Sequence, residues 1–118
     1  MRPRFRPFLA SLAAFVAAPL AAQTLPAGFV ATDAITGLNQ PSAVRFARDG
    51  RVFVAEQSGL LWVYPAITGG ARIQVADLRR SVHNFWDRGL LGLALDPDFP
   101  DAPFVYVLYT YEIGRAHV

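Results

Sequence analysis

Arg88-Gly-Leu-Leu-Gly-Leu-Ala-Leu-Asp-Pro-Asp-Phe-Pro-Asp-Ala-Pro-Phe-Val-Tyr-Val-Leu-Tyr-Thr-Tyr111 is the stretch whose reading decides the fold. Residues 90–95 and 104–111 are two apolar runs joined by an Asp/Pro-rich turn. Pro and Asp preset or stabilise turn backbone, so the block predicts a hairpin. Strands this apolar are buried on both faces, and a hairpin alone cannot bury them. The pair therefore predicts packed neighbours on either side, some of them expected beyond residue 111.

Upstream of this hairpin the chain reads as strand and turn, with no convincing helix. Residues 28–35 form a weak strand candidate ending at Gly37. Residues 43–46 alternate apolar and polar, Arg48-Asp-Gly50 is a turn, and 51–55 are rich in Val and Phe. Gln57-Ser-Gly59 turns again before 60–64, Thr68-Gly-Gly70 makes a further turn, and 72–78 complete a fourth strand. Asp-Gly and Ser-Gly between short apolar runs are strong hairpin signals. Four short antiparallel strands within residues 43–78 match one propeller blade, whose period is about 40–50 residues. The pattern restarts at Leu90, 47 positions after Ala43. A sandwich or barrel also uses many short strands, but the repeated order of inner strand, turn and second strand favours a propeller. The fold class expected is all-β: about one and a half blades of a six-bladed β-propeller, preceded by an export signal. Repeat units depend on neighbours to bury their faces, so the intact protein is expected to be several hundred residues long.

The two ends differ from the middle. Arg2, Arg4 and Arg6 precede an apolar run over residues 8–20, and Ala21-Ala22 leads to Gln23. A basic start, a short apolar core and a small-residue exit predict a secretory signal peptide over 1–22. The run is too short to span a bilayer, which takes about 20 apolar residues. A buried helix or retained anchor is the alternative. The predicted location is secreted or periplasmic, with no stable membrane span after cleavage. Residues 112–118, Glu-Ile-Gly-Arg-Ala-His-Val, break the apolar pattern and match the translation of a common sequencing adapter. They are expected not to be native, and His117 is given no role.

The expected domain is therefore 23–111, a partial propeller. It carries seven arginines and eight acidic residues, so the chain's formal charge of +2 comes from its ends. No basic patch of the kind nucleic-acid binding requires is present. There is no cysteine, so disulfides cannot supplement the core, and a secreted domain this small needs a longer chain around it.

Arg51-Val-Phe-Val-Ala-Glu-Gln-Ser-Gly-Leu-Leu-Trp-Val-Tyr64 and Trp86-Asp-Arg-Gly-Leu-Leu-Gly-Leu-Ala-Leu-Asp-Pro-Asp-Phe99 resemble the first blades of the glucose/sorbosone dehydrogenase family. The resemblance covers about 25–111. It implies a secreted six-bladed propeller that oxidises a sugar or polyol hydroxyl by hydride transfer to pyrroloquinoline quinone (PQQ), with calcium and an external electron acceptor. The family's catalytic base is a histidine of an Asp-His pair in a later blade. Neither His83 nor His117 lies in such a pair, so no catalytic residue is assigned here. Well-characterised members of that family place a polar residue, often Gln or Glu, facing the quinone just before Gly-Leu-Leu-Gly. Asp87 holds that place here, shorter and charged.

His83, Asn84, Trp86, Asp87 and Arg88 form a polar-aromatic cluster in the loop entering the second blade. Asp87, Trp86, Arg88 and His83 are the candidate cofactor-binding residues. Trp86 offers a ring face and Arg88 a partner for anions. The competing reading makes Asp87–Arg88 a structural ion pair and Trp86 a loop anchor. Glu56 either points into a central channel or stabilises its own turn, the latter favoured. Asp96, Asp98 and Asp101 resemble a calcium cluster, but Asp-Pro-Asp is also ordinary turn chemistry, and the turn is preferred. No metal site is assigned. Trp62, Tyr64, Tyr106, Tyr109 and Tyr111 read as strand packing. Two rivals to the dehydrogenase reading remain: a non-catalytic carbohydrate- or protein-binding propeller of the cell envelope, and a lactone-hydrolysing propeller.

Overall fold

The computed structural model describes residues 25–114. The expected signal peptide over 1–22 and the last four residues of the expected non-native tail lie outside them. The chain divides into two units, residues 1–31 and 32–118. In the first, the Phe29 N–H donates to Pro26 O at 3.1 Å, closing a turn. The second holds six strands, all paired antiparallel.

The first four strands form one meander, β1 (Pro41–Phe46), β2 (Val52–Glu56), β3 (Leu60–Tyr64) and β4 (Ile73–Asp77), in that spatial order. Short turns explain the order, because antiparallel strands joined by tight loops pair with their chain neighbours. A second sheet pairs β5 (Leu90–Leu95) with β6 (Val105–Tyr109). The observed strands agree closely with the expected ones, β3 and β5 to the residue. The weak strand expected over 28–35 does not form. Among the described residues no strand pairs with that segment, and Ile35 packs with Leu38 under Val52, Val54 and Tyr64.

All five residues of β2 are buried, because the meander has an apolar side chain on both faces there. On one face Ala43, Phe53, Ala55, Leu61 and Val63 meet Leu90, Leu93 and Val107 of the second sheet. Leu90 and Leu93 both point inward although they are three apart. A bulge at Leu91–Gly92 resets the alternation. Gly92 is needed there, since a Cβ would stand 2.8 Å from Leu108 Cβ. Phe99, from the β5–β6 connection, reaches back to Phe53 edge-on at 5.5 Å, and the Arg51 guanidinium covers the Phe99 ring at 4.8 Å. Ser42 Oγ donates to Leu90 O at 2.6 Å and joins the first strands of the two sheets.

The other face of the meander is only half covered. Ile35, Leu38, Val44, Val52 and Val54 line an open apolar depression of about 600 Å³. The outer face of the second sheet is also bare, with Tyr106 54% and Leu108 73% exposed. Among the described residues no helix is long and apolar enough to cross a membrane.

Leu90 is fully buried between the sheets. Leu90→Ala is expected to lower unfolding free energy by about 2–5 kcal/mol. Urea denaturation followed by far-UV circular dichroism checks this. The midpoint should fall while the slope stays constant.

Candidate functional site

The segment from Leu78 to Leu90 carries the chain from the first sheet to the second. Its start is a tight turn, in which the N–H groups of Ser81 and Val82 both donate to Leu78 O, at 2.8 and 3.0 Å. Val82 is buried in the inter-sheet core, which anchors this end. Beyond it the loop is closed across its base by one residue of the opposite strand end. The His83 N–H donates to Thr110 O at 2.8 Å, and the Thr110 N–H donates to Gly89 O at 2.9 Å. Residues 84–88 are thereby pushed out as a protrusion, and all five are exposed.

Within the protrusion the Arg88 N–H donates to Phe85 O at 3.0 Å, so Phe85–Arg88 is a four-residue turn. Trp86 is its second residue, with φ of 56°. Trp86 lies against Phe85 with ring centroids 6.0 Å apart and planes inclined by 28°. Its indole is 85% exposed. The His83 ring meets Phe85 edge-on at 6.3 Å, while its Nδ1 pairs with Glu112 Oε2 at 2.9 Å. Asp87 and Arg88 do not pair with each other among the described residues. Trp86, Asp87 and Arg88 thus share the protrusion, and among the described residues the Asp87 and Arg88 side chains form no ion pair, while His83 lies at its base, tied through Nδ1.

Sequence reasoning passed over Gln57, which it read as a turn residue. Gln57 Nε2 donates to Trp86 O at 2.6 Å and to Arg88 O at 2.9 Å. Its carbonyl accepts the Leu90 N–H at 2.9 Å. No local pattern signals such a contact, which spans about 30 residues of chain.

The Glu56 side chain does not stabilise its own turn, the role favoured from sequence. Its carboxylate is buried and accepts the Asn39 N–H at 2.9 Å, with Arg72 Nη1 at 3.8 Å. Arg72 lies over the Trp62 ring at 3.9 Å. Glu56 therefore ties the segment entering β1 to the sheet. Its own turn is closed by backbone alone, the Gly59 N–H donating to Glu56 O at 2.9 Å. Asp96 is turn chemistry: Oδ1 accepts the Asp98 N–H at 3.0 Å and Oδ2 accepts the Tyr106 hydroxyl at 2.8 Å. That bond holds the Tyr106 hydroxyl above its ordinary pKa. Among the described residues no group of three His, Cys, Asp or Glu side chains is placed to hold a metal ion.

Two antiparallel sheets packed face to face, with a polar-aromatic loop leading into the second, make the described residues all-β, and the propeller class follows from the family. The family model for glucose/sorbosone dehydrogenase matches residues 38–117, and the chain belongs to that family. No solved structure matches the chain. The family implies pyrroloquinoline quinone as cofactor. A planar quinone bearing carboxylates needs a flat apolar surface and cationic donors. The exposed Trp86 face and Arg88, which forms no ion pair among the described residues, fit one flank of such a group. The described residues supply no metal-ligand cluster for calcium.

Two outcomes follow from these ion pairs. Arg72→Ala leaves the Glu56 carboxylate buried without its cation and is expected to cost about 1–3 kcal/mol, with faster exchange of the Asn39 amide by NMR. The second concerns Asp77, whose carboxyl is lowered to about 2 by a side-chain hydrogen bond from Arg79. A folded pKa below the unfolded one means stabilisation that is present above about pH 4 and lost as pH falls through about 2. A carbon-detected titration should place Asp77 near 2, and Arg79→Ala should move it back toward 3.8.

Proposed function

We propose that this chain is the N-terminal part of an exported PQQ-dependent dehydrogenase that oxidises a hydroxyl of a sugar or polyol. The observation that carries the reading is the family membership over residues 38–117, together with the exposed Trp86–Asp87–Arg88 turn just ahead of β5. In this reading the signal peptide over 1–22 directs export, and the tail over 112–118 is not native, so the His83–Glu112 pair does not belong to the native protein. The two bare apolar faces support further blades, one packed on the Leu91, Tyr106 and Leu108 face.

When bound, the quinone supplies the hydride acceptor, and the catalytic base comes from a later blade. What this chain does is bind and orient. Trp86 presents an aromatic face for stacking, since its indole is held clear of the core. Arg88 offers planar donors to a carboxylate. Asp87 offers carboxylate oxygens that accept hydrogen bonds from a ligand against the turn. Its short side chain makes that contact more local than the Gln or Glu that the family resemblance places there.

The full-length protein is expected to reduce a dye with aldoses or polyols only after addition of pyrroloquinoline quinone and calcium. Asp87→Ala should weaken quinone binding by about 1–3 kcal/mol, the cost of leaving its buried polar partner unsatisfied. Absence of quinone binding by calorimetry, with no activity on any aldose or polyol, would overturn the enzyme reading. It would favour the non-catalytic binding propeller.

A further inference from the structure

We propose that Gln57 is a positioning residue for this loop, holding Trp86, Asp87 and Arg88 in the presentation that ligand binding needs. The inference rests on the reading of the loop as cofactor-facing. A glutamine amide nitrogen has two hydrogens. Both are used here, on Trp86 O at 2.6 Å and Arg88 O at 2.9 Å. They bracket Asp87 from either side. One side chain of the first sheet thus grips the backbone on both sides of the candidate contact residue.

The grip has two consequences. Trp86 keeps φ of 56° although it is not glycine, a region that L residues hold only when surroundings enforce it. Burial of the indole cannot be what enforces it, because the ring is 85% exposed. The constraint comes from the backbone side, through Gln57 and the turn bond to Phe85 O. The second consequence is at Gly89, whose φ is 149°. A Cβ there would stand 2.5 Å from both Gln57 Cγ and Gln57 O. The loop can therefore close on Gln57 only where residue 89 has no side chain. Holding the loop by its backbone leaves the Trp86, Asp87 and Arg88 side chains free for a ligand.

The test uses the full-length protein, in which the emission of Trp86 is taken as the difference from Trp86→Phe in the same background. Gln57→Glu keeps the shape but at neutral pH has no hydrogen to donate, and Gln57→Leu removes both polar atoms. Each is expected to shift Trp86 emission, raise Arg88 and Leu90 amide exchange at least tenfold, and weaken quinone binding at least tenfold. In the unmodified protein the Gln57 side-chain amide protons should exchange at least tenfold slower than those of exposed Gln74. Equal exchange overturns the proposal even if the variants fold poorly. Unchanged emission and exchange in both variants also overturn it. So does quinone affinity unchanged while the loop is released. If the loop is released in the variants but the parent binds no quinone, the positioning stands and the cofactor reading falls.

Discussion

Everything in the described structure depends on β2 being buried on both faces. A strand with Val, Phe, Val, Ala and Glu all inaccessible to water cannot sit in an isolated sheet. It needs a cover above and a cover below. The upper cover is the second sheet, through Leu90, Leu93 and Phe99. The lower cover is the short Ile35–Leu38 segment, which is too small for the face it meets. The single buried acid is part of the same constraint. Glu56 ends β2 inside the protein, and its carboxylate is made tolerable by the Asn39 amide and by Arg72.

The loop that follows solves the opposite problem. Its side chains must stay in water while its backbone stays in one place. A loop of exposed residues has little packing to order it, and the conformational entropy of fixing backbone is about 1–2 kcal/mol per residue. Thr110 pins residues 83 and 89, and Gln57 pins residues 86 and 88. The sequence Gly89-Leu-Leu-Gly92 fits this geometry residue by residue. The first glycine admits Gln57, Leu90 locks the sheets together, and the second glycine lets Leu108 approach.

Much of the fold was legible because period and punctuation agree. Turn residues sit between short apolar runs, and the register follows from which face must be buried. The segment 28–35 resembles a strand in composition, but among the described residues no strand pairs with it. The site was legible only as a cluster of residue types in one loop. Its holding contacts were not, because Gln57 and Glu56 act across 29 and 17 positions of chain. Both belong to the same strand end and were read from their neighbours alone. Side chains that bond distant backbone leave no periodic trace in sequence.

The energetic scale limits what this loop can do by itself. On the proposed reading, one stacked ring face contributes about 0.5–1.5 kcal/mol beyond its buried area. A hydrogen bond to a charged partner adds about 1.5–3 kcal/mol. Together these fall well short of the roughly 8 kcal/mol that micromolar affinity requires. A ligand held here must therefore be met from other directions as well. An 85% exposed tryptophan on a rigidly held turn is suited to be one wall of such a composite pocket. On the same reading, elements packed on the bare faces of the two sheets would carry the other walls, and completing the core would also complete the site.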